Sequence, residues 1–506
     1  MALQTRNSAL AVKKETTEGV PVAPSASSDY VALQDDFTMS PSFATLTNAE
    51  ARASIGLAKP ILGAEAPVAS MSHYLRSSGV EGQAPNYGEF LEAAYGAVKA
   101  TSNRVTVDSS TTAVTTIGVG EVAAEGIARG DAFIILDPAN GYSIRNVKSV
   151  SGDAITWDFE LEAAPANGVE LSKVVTYYPT QIAQPTLTLW HYVANEGAIQ
   201  MMAGARTTSV AISIDAGELI NASYSFEGLS YYFNPMNVTS TLKDLDFTDD
   251  DGTFVASVAQ GYYKDPNDLA EALAAAMNAT ASTQTYTVEY QNDGVDVAKF
   301  IISNTTGALL SLLWNTGANA ATSIGSLLGF SVAADDTGSL SYTGDNVLDF
   351  SAPQNPSFDV ADALAAKHNE FLIGDAADNM CVDASTVTWN VDLTKVNVES
   401  ICAESGIIES VFNERSVPVS ATILLKKGEA KRFHKFHKND SVGIAYHFGE
   451  KSGGNWVIGK SGSLYVPEAT ITSFEIADED GYAVLNLEFQ AYVNQDGEGE
   501  VYQNFL

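Results

Sequence analysis

A mainly β protein is what this sequence predicts: two β-sandwich or β-barrel folds, each with a flanking helix, and a small α+β module inserted between them. Three observations predict it. Short apolar runs with period-two alternation recur along the chain, Gly and Ser-Thr-Asn turns separate them, and long helical patterns are few. At 506 residues the chain has room for more than one core, since domains typically hold ~100–200 residues. The division expected is an N-terminal arm (1–29), a first fold (30–235), an inserted exterior module (236–370) and a second fold (371–506).

The arm is rich in Ser, Thr, Ala and Pro and has no hydrophobic period, so by itself it should be flexible. Phe37, Met39 and Phe43, interrupted by Pro41, read as an edge strand, and residues 67–75 as its return. Between them, residues 47–64 read as a long loop that mixes Glu50, Arg52 and Lys59 with Ile55, Leu57, Ile61 and Leu62. Loops of that length are usually functional or disordered. Tyr87, Phe90, Leu91, Ala94 and Val98 keep helical spacing, which turns Glu89, Glu92 and Lys99 to water. Strand-like runs follow at 104–107, 132–136 and 154–159.

The stretch from Leu187 to Phe233 organises the first fold. Leu187, Leu189, His191 and Val193 share one strand face, and Val210, Ile212 and Ile214 share another. Asp215-Ala216-Gly217 can reverse the chain, after which Ala222, Tyr224, Phe226 and Gly228 alternate with Ser223, Ser225 and Glu227. This is an antiparallel meander.

Beyond Pro235 the pattern changes. Asp265 can cap, and Pro266 can open, a helix with the apolar face Leu269, Ala272, Leu273, Ala276 and Met277. Strands at 286–290 and 297–302 flank an Asn292-Asp293-Gly294 turn, and 309–314 and 327–330 complete the module. The last third then repeats the first in outline. A strand with Val387, Trp389, Val391 and Leu393 on one face, a loop at 397–416, a returning strand at 417–425 and a short helix at 429–438 follow one another as in 37–98. The closing hairpin, 470–476 and 482–492 around Asp478-Glu479-Asp480-Gly481, mirrors 210–232.

A formal net charge of −35 argues against a protein that grips nucleic-acid phosphates. Only Cys381 and Cys402 are present, with no CxxC, which suggests neither zinc nor a disulfide framework and leaves a single bridge open. The apolar run Ala9 to Val12 is too short for a signal-peptide core, and no run approaches the ~18–20 residues of a membrane span. The expectation is a soluble chain, used where it is made.

Three apparent motifs dissolve on inspection. Gly454 to Ser461 fits GxxxxGK[ST], but Leu464-Tyr465-Val466-Pro467 follows it as a strand, so no helix N-terminus would face a phosphate. His434, His437 and His447 could be drawn as a metal site, yet the first two sit among Lys426, Lys427, Lys431, Arg432, Lys435 and Lys438 on a basic helix, with Ala430, Phe433 and Phe436 expected beneath. That basic face is either a contact for an acidic neighbour or simply solvated. The acidic tract 244–252 places Phe247 and Val258 where a calcium loop needs its end ligands. No catalytic arrangement stands out; neither an enzyme nor a cofactor is expected.

The chain resembles the major tail tube proteins of long-tailed (siphovirus-like) bacteriophages. The resemblance is carried by Gly204-Ala205-Arg206-Thr207, Gly217-Glu218 and Phe226-Glu227-Gly228-Leu229 in the meander, by the opening Lys13-Lys14-Glu15-Thr16-Thr17-Glu18-Gly19 with Val22-Ala23-Pro24, by Ala84-Pro85-Asn86-Tyr87-Gly88 through Leu91 and Ala94-Tyr95-Gly96, and by 482–492 as a last long strand. It does not cover the middle, where Gly261-Tyr262-Tyr263, Asp268-Leu269-Ala270 and Leu327 to Phe330 resemble small modules of viral structural proteins.

What the resemblance implies is a structural virion protein whose copies close into rings, the rings stacking into the tail tube through which the genome is delivered. Both folds would then be of the tail-tube type, and the arm would pack on a neighbour. Tubes of this family are commonly six folds around, so a chain with two folds would form a ring of three with pseudo-sixfold symmetry, the alternative being six. Inter-ring contacts would fall on the two long loops, at Glu50, Arg52, Lys59, Glu404, Glu409 and Arg415. Asp215, Glu218 and Glu227 are candidates for the lumen. Implied partners are further copies, tape-measure and tail-terminator proteins, and DNA that passes without specific binding; no membrane is involved. The location implied is the virion tail, assembled in the host cytoplasm. The rival from another class is an extracellular carbohydrate-binding or adhesive β protein, to which Trp314, Tyr342 and the insert could belong.

Overall fold

The computed structural model describes residues 8–25, 29–34, 36–48, 59–180, 184–194, 197–292, 294–352, 357–358, 361–375, 378, 381–403, 405–494 and 499–506. The chain is mainly β and divides into two compact units. The smaller comprises Met1–Leu10, Trp190–Met202 and Tyr231–Gln354, and the larger Ala11–Leu189, Ala203–Ser230 and Asn355–Leu506.

In the larger unit eight antiparallel strands form one continuous sheet. They are β1 (Thr38–Ser40), β2 (Val68–Tyr74), β3 (Ala198–Asp215, from Ala203 onward in this unit), β4 (Asn221–Glu227), β5 (Ala384–Glu399), β6 (Pro418–Leu424), β7 (Asn455–Glu479) and β8 (Tyr482–Ala491). Their pairing order is β1-β2-β4-β3-β5-β6-β8-β7. The second four repeat the first four. One row of paired residues runs Thr38, Ser70, Ser225, Ser209, and its counterpart runs Thr388, Ser420, Glu488, Ser473. The neighbouring core row is Met39, Ala69, Phe226, Thr207 in one repeat and Trp389, Val419, Phe489, Ile471 in the other.

Even the irregularity recurs, since the ladder slips between Thr207 and Ser209 in β3 and between Ile471 and Ser473 in β7. A slip of one residue would swap every side chain between faces, so agreement along both rows fixes the equivalence of the two repeats. The repeats meet at β3 and β5, where Ser209 to Asp215 pair with Asp392 to Thr386. Val210, Ile212 and Ile214 on one strand and Val387, Trp389 and Val391 on the other are buried there. Truncating a side chain as large and as buried as Trp389 costs ~3–5 kcal/mol.

The alternation in the sequence accounts for these strands, and the turn at Ala216-Gly217 is closed by Glu218 N–H donating to the Asp215 carbonyl at 3.0 Å. Helix α1 (Gly88–Tyr95) follows β2 and lays Phe90 on Tyr224 and Phe226, with ring centroids 5.4 and 5.1 Å apart. It ends sooner than the helical spacing through Val98 suggests. Gly96 takes φ +122°, where a Cβ would lie 2.3 Å from Thr180 Oγ1, and the strand Gly96–Ala100 begins. Helix α2 (Ala430–Lys438) follows β6 in the same way.

Two expected loops are built differently. Phe43–Leu46 pairs with Ile61–Glu65, so half of the described part of 47–64 belongs to a strand of a hairpin; residues 49–58 lie outside the described residues. Likewise 397–416 is largely the hairpin of β5 with Ile407–Ser416, which pair as far as Glu399 and Ile407. The two hairpins touch, with Glu65 N–H donating to the Ser405 carbonyl at 2.9 Å. The arm is also not loose: Ala9–Lys14 is a strand, and Ala11 and Val12 are buried.

Between Gly96–Ala100 and Val175–Pro179 a six-stranded closed barrel is inserted, of which the sequence showed only separate runs. Glu170–Leu171 closes it by pairing with both Val105–Ser110 and Ala132–Asp137 around Ile134, Ile144, Ile155 and Trp157.

The smaller unit carries the helix Pro266–Asn278, capped as its sequence predicts by Asp265, which accepts from the N–H groups of Asn267 and Asp268 at 2.6 and 3.2 Å. Leu269, Leu273 and Met277 are buried. Four-stranded and three-stranded sheets accompany it, and 327–330 is a turn in which Leu328 and Phe330 are buried. Asp293 of the expected hairpin turn lies outside the described residues.

Candidate assembly surfaces

Two sequence motifs meet in one polar knot. Glu15 is buried and accepts from Gly19 N–H and Gly204 N–H, both at 2.8 Å, and from the hydroxyls of Thr186 and Thr188 at 2.7 and 2.8 Å. Burial pushes its carboxyl pKa up, and those four donors oppose the shift. Gly204 has no substitute here, because a Cβ at its φ of +67° would lie 2.7 Å from the Leu229 side chain. Glu18 takes Arg206 Nη2 at 2.8 Å and both the N–H and hydroxyl of Ser410 at 2.8 Å. Arg206 also donates Nε to the Ser410 hydroxyl at 2.7 Å and Nη1 to the Gln184 carbonyl at 2.9 Å. The knot therefore fastens the N-terminal arm to β3 of the first repeat and to the hairpin of the second.

The paired hairpins present a large apolar surface to solvent. Leu46, Ile61, Leu62, Ile401 and Ile408 are each more than half exposed, and Val396 and Val411 nearly so. Isolated exposed apolar residues are ordinary, whereas these all fall on two hairpins that touch through Glu65 and Ser405. Of the inter-ring residues expected from sequence, Lys59 and Glu409 are exposed on these arms, whereas Glu50, Arg52 and Glu404 lie outside the described residues. Arg415 points inward instead, donating to Glu500 and, at 2.7 Å, to the Tyr95 carbonyl.

The face of the eight-stranded sheet opposite its core carries small hydroxyl and amide groups. Ser70, Ser213, Ser225, Thr388, Thr422 and Asn486 belong to it, and its charged members in the paired strands are mostly acidic, with Arg206 standing opposite Glu227. Asp215 and Glu227 share this face, along with Asp392 and Glu488, which sequence reasoning missed. Period-two alternation marks such a face only once the register across strands is known. Glu218 sits in the β3–β4 turn, exposed, and Glu227 lies 3.6 Å from Lys395 Nζ.

The remaining chemical candidates are structural. Residues 454–461 turn into β7, with Trp456 buried, so the phosphate-loop pattern leads into a strand. His447 is buried in the strand Val442–Ser452, with Nε2 3.0 Å from Asn146 Oδ1 and Nδ1 3.4 Å from Glu370, away from His434 and His437 on α2. On α2 the expected packing is inverted: Arg432 is buried and reaches the Ile373 carbonyl, while Phe433 is half exposed. The basic face does meet acids, but in this chain, through Lys426–Asp383, Lys431–Asp378 and Lys435–Asp375. The tract 244–249 is a strand. Trp314 is buried with its Nε1 on Asp336, and the Tyr342 hydroxyl donates to the Leu310 carbonyl, so neither offers a free aromatic platform. Cys381 and Cys402 are both free thiols.

No protein-family model matches the chain, and no curated protein is similar to it. Among solved structures, a chain of the virion of a native gene transfer agent particle aligns at 14% identity and a TM-score of 0.19, over 25% of this chain and 92% of that one. An Hcp protein aligns at 11% identity and a TM-score of 0.16, over 26% and 96%. The Hcp1 protein from E. coli EAEC 042 aligns at 7% identity and a TM-score of 0.17, over 27% and 95%.

Proposed function

We propose that this chain is a tail-tube subunit: three copies close a ring of six repeats, rings stack into a tube, and the tube conducts a genome. One observation carries the reading, namely that the chain contains two equivalent repeats joined edge to edge through β3 and β5. Such a joint is heterologous, the last strand of one unit on the first strand of the next, and a heterologous contact repeated around an axis makes a ring. Ring closure also removes the open strand edges that invite aggregation.

The sequence resemblance to tail tube proteins supplies the assembly this geometry suits. Stacking then falls to the apolar hairpin arms, with Lys59 and Glu409 beside them, and the hydroxyl-rich, acidic face lines the lumen. Duplex phosphates would be repelled there by Asp215, Glu227, Asp392 and Glu488 over a screening length of ~8 Å at physiological salt, and Glu218 would sit at the rim. Tape-measure and tail-terminator partners and a place in the virion tail belong to the same reading. Negative-stain electron microscopy of the purified protein tests it, because rings or hollow filaments are expected and dispersed single particles at every concentration would refute it. An adhesin would give the second outcome.

A further inference from the structure

The inserted barrel and the strand Glu370–Gly374, both in the larger unit, wall a cleft that ring assembly does not call on. Its volume is about 250 Å³, and Ile135, Leu161, Pro165 and Leu372 give it apolar sides. Pockets for drug-sized ligands hold roughly 300–1,000 Å³, so this one suits a smaller molecule. We propose that it binds a small organic carboxylate, held by the Arg145 guanidinium with its carbon skeleton against those sides. The site is independent of the ring reading above.

Arg145 stands on the barrel strand Gly141–Ser151, where alternation sends Ile144 into the barrel core and turns Arg145 the other way, toward Glu370. It lines the cleft and is only 4% exposed. A guanidinium carries five N–H groups, and few of these are spent. Nε donates to the Glu160 carbonyl at 3.2 Å and Nη1 to the Ile144 carbonyl at 2.7 Å. Among the described residues Nη2 has no partner, and Glu370 Oε2 stands 3.9 Å from Nη1, beyond hydrogen-bond length. Burial pushes the Arg145 pKa down, with Glu370 and Glu162 opposing the shift.

The acids nearby are already committed. Glu370 gives Oε1 to Lys451 Nζ at 2.9 Å and faces His447 Nδ1 with Oε2 at 3.4 Å, so two cations, Arg145 and Lys451, share one carboxylate. Asp137 accepts from the Ala139 N–H and from Asn140 Nδ2 at 2.9 and 2.8 Å. Glu162 lies at the exposed rim. A buried cation short of hydrogen bonds is costly, and a ligand bringing two coplanar acceptors to a guanidinium fork relieves that cost best. The carboxylate has that geometry, and the apolar sides favour one with a carbon body over an inorganic anion.

Cys381 lines the same cleft and reads it out. Iodoacetate and iodoacetamide alkylate a thiolate in the same way, sulfur displacing iodide to form a C–S bond, and differ in carrying a carboxylate or a neutral amide. Their rate ratio cancels the thiolate fraction, and Cys402, exposed in the turn after β5, supplies the reference. The iodoacetate-to-iodoacetamide ratio at Cys381 in Cys402→Ser protein is expected to exceed that at Cys402 in Cys381→Ser protein by about tenfold, equivalent to ~1.4 kcal/mol. Arg145→Gln should bring the two ratios together. Ser143→Asp, which adds a negative charge to the half-buried wall of the cleft and leaves the guanidinium in place, should also lower the ratio at Cys381. Butyrate, but not butyramide, should slow iodoacetamide at Cys381. Equal ratios at the two cysteines, a ratio at Cys381 that neither substitution moves, or equal protection by butyrate and butyramide would overturn the site.

Discussion

At the scale of single residues, the buried histidine beside β4 gives the fold a defined acid sensitivity. His73 stacks between Tyr224 and Tyr87, with Nδ1 2.9 Å from the Tyr74 carbonyl, to which it donates. Burial pushes its pKa from 6.5 down to about 4. The folded value is below the unfolded one, so the unfolded chain takes up the proton first, and stability is lost as pH falls from 6.5 toward 4. That share amounts to about 3 kcal/mol. Urea unfolding of wild type and His73→Phe at pH 7.5 and pH 4.5 is expected to show the variant losing less on acidification; an equal loss would remove His73 from the account. The arm depends on Glu15 in a comparable way. Glu15→Ala leaves two backbone N–H groups and two hydroxyls without their acceptor, at a cost of about 2–3 kcal/mol, and should make the first twenty residues susceptible to protease. Resistance equal to wild type would show that the knot does not hold the arm.

At the scale of elements, what the sequence made legible was whatever one strand or helix decides alone. The hairpin around Gly217, the strands flanking it and the capped helix at Pro266 follow from alternation and caps, and all are present. The projecting hairpins were misread as loops because their strands are exposed on both faces, so charged and apolar residues mix without a period. The barrel stayed hidden because its closure rests on a two-residue strand, too short to carry any pattern. Of the candidate contact residues, Lys59 and Glu409 are exposed, while the inward turn of Arg415 depends on Glu500, eighty-five positions away. Two predictions belong here. Ile401→Asp with Ile408→Asp should leave rings but prevent their stacking, seen as single rings by microscopy; long tubes from this variant would place stacking elsewhere. Replacing 236–351 by a short Gly/Ser linker should leave tube assembly intact, and soluble protein with no tubes would assign assembly contacts to the smaller unit.

At the scale of the whole molecule, the repeat is the feature from which the rest follows. A residue-by-residue comparison of the halves shows little, since Met39 stands where Trp389 does and Ser225 where Glu488 does. The equivalence lives in pairing order and in the shared bulge, which only the assembled sheet displays. The order of elements in the sequence already implied it, and with it a count of chains. Native mass measurement on isolated rings tests that count most directly: the account predicts three chains per ring, six repeats around, and a ring of six chains would contradict it.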